Sequence, residues 1–195
     1  MKQLVRFLAE SHIFLDPTLA VDESTFVQSL ANQFNDPNNL YLPQQLLDKW
    51  KAEPVPEFAK IPPELKQAAI DGFEKRKRFV GMCNQAGVQI IAGTDGAGPG
   101  TLLPGFGLQR ELQLLVQSGL TPLQAIQAAT INAAIALRKE HDLGTVEPGY
   151  FADMVILSAD PVADISNIRK VESVIEGGKF YSQSALLNAT ARAKN

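Results

Sequence analysis

The chain has 195 residues, 45% hydrophobic and 20% charged, which is a soluble globular composition with length enough for one or two cores. A net charge of -3 gives no basic surface for nucleic acid, no apolar run nears the roughly 20 residues that span a bilayer, and the N-terminus lacks a signal peptide's apolar region. A single cysteine, Cys83, excludes an internal disulfide and any cysteine-rich zinc cluster; a reducing, cytoplasmic setting is expected.

Leu4, Val5, Leu8 and Ala9 recur at helical spacing and predict a short helix over 2–10. Ile13-Phe14-Leu15 reads as a buried strand closed by Asp16-Pro17-Thr18. Residues 19–63 combine Pro37, Pro43, Pro54, Pro56, Pro62 and Pro63 with Phe26, Phe34, Tyr41, Trp50 and Phe58. Proline breaks regular structure there while the aromatics argue for packing, so this is an insertion with short helices over 23–34 and 43–51.

From Pro63 a long helical pattern places Leu65, Ala69, Phe73, Val80 and Cys83 on one face and stops at Gly87. Within it, Cys83 reads as a small hydrophobe and Lys75-Arg76-Lys77-Arg78 as a solvated helix face. Val88 to Gly93 is an apolar strand of the parallel-sheet kind, followed by a glycine-rich loop over 96–107. Leu108, Leu112 and Leu115 mark a helix closed at Gly119. Thr121-Pro122-Leu123-Gln124 opens another as a capping box, running to about Leu137. Strands are expected over 151–157 and 171–175, then a turn at Gly177-Gly178 into Lys179-Phe180-Tyr181. The polar, alanine-rich end is a helix or a loose tail. Strand, crossover helix and strand make a parallel α/β unit, with a β-rich part after it.

Asp95 is the candidate site residue, because ligands and catalytic groups gather where parallel strands end. A carboxylate there can bind a metal, take a proton from water and return it to a leaving group. The alternative is that Asp95 caps the loop by accepting from backbone N–H groups. Glu111 has two readings as well, facing the site or lying on a charged helix face. The glycines fit neither phosphate motif: Thr101 and Leu103 stand where G-x-G-x-x-G needs its last glycine, and no G-x-x-x-x-G-K-[ST] is present. His12 reads as structural or exposed, and His141 as surface; neither has a second histidine at metal-ligand spacing. No G-x-S-x-G nucleophile elbow occurs.

Ile91-Ala92-Gly93-Thr94-Asp95-Gly96, Leu108 to Leu112, Gly119 to Ala125, Ala128 to Ala134 and Leu143 to Leu157 resemble, in that order, the closing part of the amidohydrolase superfamily. The imidazolonepropionase-like branch of metal-dependent hydrolases is the nearest in flavour. The resemblance runs over about 4–181 and is weakest across 19–63.

It implies the C-terminal part of a (β/α)8 TIM-type barrel, followed by the C-terminal strands of a small β-sandwich. Residues 1–140 are then a partial barrel carrying insertion 19–63, residues 141–182 a sandwich segment and residues 183–195 a tail. Ile13 to Thr18 is the seventh barrel strand, and Gly93-Thr94-Asp95 closes the eighth. The resemblance makes Asp95 both metal ligand and proton-shuttling catalytic residue. It implies a divalent metal, zinc, and hydrolysis of carbon–nitrogen bonds in a small-molecule amide or cyclic amide. The family's His-x-His pair, bridging group and two later histidines have no counterparts here, and the chain starts within what corresponds to the sixth helix. It is therefore expected to be incomplete and inactive or nearly so alone, with a missing N-terminal half or a homo-oligomer as partner. The alternative is a non-catalytic interaction module that assembles through its open barrel edge.

Overall fold

The computed structural model describes residues 1–27, 35–53, 61–96 and 102–192. The second part of the helix expected over 23–34, residues 54–60 of the insertion, and Ala97 to Thr101 of the glycine-rich loop lie outside the described residues.

Two short strands, β1 (Phe14–Leu15) and β2 (Gln89–Ile90), pair in parallel, with Phe14 opposite Gln89 and Leu15 opposite Ile90. The apolar runs predicted longer strands. After Ile91, whose amide donates to the Leu15 carbonyl at 3.0 Å, the chain turns to other partners. Ala92 donates to the Ala128 carbonyl at 3.0 Å and Gly93 to the Asp16 carboxylate at 2.8 Å, which ends the ladder.

Helix α1 (Lys2–Glu10) buries Val5 and leaves Leu4 and Phe7 exposed. After β1 come α2 (Leu19–Asp22) and one π-helical turn, Glu23–Val27. A 3-10 turn, Pro37–Tyr41, precedes α3 (Gln44–Ala52), which accounts for the second helix expected in the insertion. Helix α4 (Lys66–Gln85) follows a 3-10 turn at Pro63–Leu65 and buries Phe73, Val80 and Cys83, as its period requires. Leu65 lies in that preceding turn and is exposed. Helix α5 (Phe106–Gln117) supplies the centre of the core, where Leu114 and Leu115 are fully buried beside Leu19, Ile90 and Cys83.

The capping box at Thr121 and Gln124 is present, but the helix it opens is not continuous to Leu137. It divides into α6 (Pro122–Ala128) and α7 (Ile131–Ala136). The break is long-range in origin: the Ala128 carbonyl accepts from Ala92, and the Asn132 side-chain amide donates to the Ile90 carbonyl at 2.9 Å. Both bonds tie the helix pair to the end of β2.

The remaining strands, β3 (Met154–Leu157), β4 (Val171–Glu176) and β5 (Lys179–Ser182), form an antiparallel sheet in that order. Gly177 and Gly178 turn β4 into β5 with φ of 54° and 76°, the left-handed pair that a two-residue hairpin favours. A 3-10 helix at Ile165–Arg169, not anticipated from the sequence, places Ile165 in the core next to α5. Helix α8 (Gln183–Arg192) packs on β4 and β5, which resolves the expected helix or loose tail as a helix through Arg192. Among the described residues no helix is long and apolar enough to cross a membrane.

Candidate functional site

Asp95 follows the end of β2, with φ of 44° and an exposed side chain. Aspartate tolerates this left-handed conformation better than most residues, because its short polar side chain is compatible with it. Its carboxylate makes no hydrogen bond among the described residues, and the loop amides at 97–101 that the capping alternative calls on lie outside them.

The other strand end also carries a carboxylate. Asp16 stands directly after β1, and its Oδ1 accepts from the Gly93 amide at 2.8 Å. Gly93 is the residue that permits this approach, since a Cβ there would overlap the Asp16 carboxylate. The two aspartates therefore lie at the carboxyl ends of adjacent parallel strands, one bonded to the backbone and one open to solvent. The sequence marks Asp16 only as the residue that closes a strand; its position after β1, matching that of Asp95 after β2, is the signal that points to it. Asn132, whose side-chain amide donates to the Ile90 carbonyl, carries no sequence signal beyond its place in the Ala128 to Ala134 motif.

Glu111 does not lie on an exposed, charged helix face. It is fully buried on α5, and Oε2 accepts from the Ala20 amide at 2.6 Å, which caps α2 from another helix. The local cap position, Thr18, makes no side-chain bond to the helix and has φ of 46°. Burial pushes the Glu111 carboxyl up to about 7, against the pull of the Ala20 and Leu19 amides; Asp16 and Asp22 add to the rise. Its Oε1 has no hydrogen-bond partner among the described residues.

Further contacts hold the insertion against the helices. Arg110 pairs with both oxygens of Glu23 at 2.6 and 2.7 Å, a fork geometry that gives charge-assisted bonds. That bonding raises the Arg110 pKa above its ordinary value. Arg76 pairs with Asp22 and lies 5.3 Å from the Phe26 ring centroid, so part of the basic stretch holds the insertion rather than facing water alone. Tyr41 stacks on Phe106 with centroids 5.8 Å apart, which brings the insertion to the start of α5, beyond the glycine-rich loop.

No group of three or more His, Cys, Asp and Glu side chains that could hold a metal occurs among the described residues. His12 is exposed at the opposite end of β1 from Asp16, and the His141 side chain is 90% exposed. Protein zinc sites use three or four protein ligands, so Asp95 with these neighbours does not make one.

Comparison with known proteins gives a consistent result. The amidohydrolase family model matches residues 73–180, more than half of the chain. Ochratoxinase from Aspergillus niger is 38% identical over 102 residues, covering 50% of this chain and 20% of that protein. Imidazolonepropionase from Geobacillus kaustophilus is 40% identical over 100 residues, covering 48% of this chain and 23% of that protein. A crystal structure of a Xaa-Pro dipeptidase with methionine in its active site shares the fold, with a TM-score of 0.65 and 24% identity. That alignment covers 92% of this chain and 37% of the dipeptidase. The matched stretch is about a fifth of the length of these two curated relatives.

Proposed function

The chain belongs to the amidohydrolase family, and from that premise we propose that it serves the hydrolysis of carbon–nitrogen bonds in a small amide or cyclic amide, with Asp95 as the reacting carboxylate. The observation that carries this reading is the exposed carboxylate just past a parallel strand, without a hydrogen bond among the described residues and two residues beyond a backbone held from several sides. Asp95 takes a proton from water as the new carbon–oxygen bond forms, holds it, and gives it to the nitrogen as the carbon–nitrogen bond breaks. Proton number balances across the two transfers, and the carboxylate is restored.

The family reading also brings a divalent metal, zinc, with Asp95 as one of its ligands. The described residues do not fit that ion by themselves, so on this reading its other ligands come from elsewhere. On the same reading β1 and β2 are the seventh and eighth strands of a (β/α)8 barrel, residues 1–140 are barrel and residues 141–182 are sandwich. The insertion then lies over the reacting carboxylate and takes part in choosing the substrate.

The test measures zinc content and amide turnover for the chain alone and for the chain mixed with a polypeptide carrying the His-x-His strand. Alone, substoichiometric zinc and negligible turnover are expected. In the mixture both should appear, and Asp95→Asn should lower kcat by about a thousandfold or more. Turnover that survives this substitution in either setting removes Asp95 from the reaction.

A further inference from the structure

We propose that Asp16 is the positioning residue of this site: its carboxylate, bonded to the Gly93 amide, sets the direction in which the chain leaves β2 and so the aim of the Asp95 side chain. The inference rests on the reading of Asp95 as the reacting carboxylate.

In a parallel ladder, amides at alternate positions of one strand donate to backbone carbonyls of the other. Ile91 does so, donating to the Leu15 carbonyl at 3.0 Å. Gly93 is next in phase, and it donates instead to the Asp16 side chain at 2.8 Å. A carboxylate thus replaces a carbonyl at the last rung, giving a charge-assisted bond where an ordinary ladder bond would stand. The two strands can diverge there while the end of β2 stays held.

The surrounding bonds leave this rung little freedom. Asn132 holds the Ile90 carbonyl, Ala128 accepts from Ala92, and the Thr94 methyl group lies near Gly107 at the start of α5. On the other side, the segment that follows Asp16 is anchored by buried Glu111 through the Ala20 amide. Glycine at 93 admits the carboxylate, and the left-handed φ of Asp95 then turns its side chain outward. A bond that served stability alone could occur anywhere along the pair. This one lies two residues from the reacting group, at the point where the backbone leaves the sheet.

The experiment uses isotope-labelled protein and reads three quantities by nuclear magnetic resonance. Wild type should show a scalar coupling across the hydrogen bond between the Gly93 nitrogen and the Asp16 carboxyl carbon, and a protected Gly93 amide. Asp16→Ala should speed Gly93 exchange by about tenfold and shift the Asp95 resonances, while the Ile91 and Ala92 amides keep their protection. Asp16→Asn retains an acceptor oxygen and should restore both readings. If Asp16→Ala does not fold, Asp16→Glu, which moves the carboxylate outward by one methylene, takes its place in the same comparison.

A merely structural bond would lower the unfolding midpoint and leave the Asp95 resonances unchanged; that result, or an absent coupling in wild type, overturns the proposal. In the complemented assay a positioning role predicts a fall in kcat with KM unchanged for Asp16→Ala, and recovery in Asp16→Asn. Should Asp95→Asn leave turnover intact, the catalytic reading fails while the coupling and shifts still stand. Should Asp95 prove essential and indifferent to Asp16, this proposal alone fails.

Discussion

Fully buried on α5, Glu111 keeps a proton over a range in which an exposed glutamate has lost it, because burial disfavours its charge more than two amides favour it. The folded carboxyl titrates at about 7 against an ordinary 4.5. Between those values the native state binds the proton and the unfolded chain has released it. The stabilising contribution is complete below 4.5, declines as pH rises, and is gone above about 7, an effect on the order of 3 kcal/mol. Glu111→Gln stays neutral and keeps an oxygen for the Ala20 amide. Its thermal midpoint should therefore fall less than that of wild type between pH 5 and pH 8, by roughly 5–10 °C. Parallel midpoint curves for the two proteins would mean that another group titrates.

Among the elements, α4 and α5 meet where Gly81 faces the carbonyl of Ser118. A Cβ at position 81 would overlap that backbone oxygen, which has little room to retreat because it ends α5. Alanine gains about 1 kcal/mol of helix propensity over glycine, but overpacking costs about 1–3 kcal/mol, and backbone overlap lies at the upper end. Gly81→Ala should accordingly lower the unfolding midpoint, as read by calorimetry; an unchanged or raised midpoint would show that the two helices can separate.

Features set by local chemistry were legible in the sequence. The period of α4 located Phe73, Val80 and Cys83, Thr121 and Gln124 announced their capping box, and Gly177-Gly178 announced the hairpin. Features set by distant partners were not. The break between α6 and α7 depends on bonds to β2, the 3-10 helix at Ile165–Arg169 on a site prepared by α5, and the burial of Glu111 on a helix 91 residues away in sequence. At the site, strand position and the family pattern singled out Asp95, whereas the bond between Asp16 and Gly93 exists only once two strands separated by the whole insertion have met.

At the scale of the whole molecule, β1 and β2 form a two-stranded sheet that no further strand joins among the described residues. Close in sequence to β1, Leu4, Phe7 and Ile13 are 49%, 62% and 43% exposed. Unpaired strand edges and apolar side chains in water favour association, and this supports the second reading of the chain as a module that assembles. Sedimentation equilibrium should give a mass that rises with concentration above 21.2 kDa, and Phe7→Asp should reduce the rise. A mass independent of concentration in wild type removes that reading.

The partnership of Leu15 with Ile90 has a consequence for how the molecule can vary. Joining two points across a long flexible tether costs entropy that grows only with the logarithm of its length, so even a doubling adds about 0.6 kcal/mol. Among the described residues between Asp36 and Ala52 the chain is therefore open to changes of length at a small entropic cost, set against the loss of buried Leu47 and of the Tyr41 stack on Phe106. The bonds of Ile91 and Gly93 to β1 and Asp16 lie outside that span, so on the proposed reading of Asp95 such changes leave its support in place.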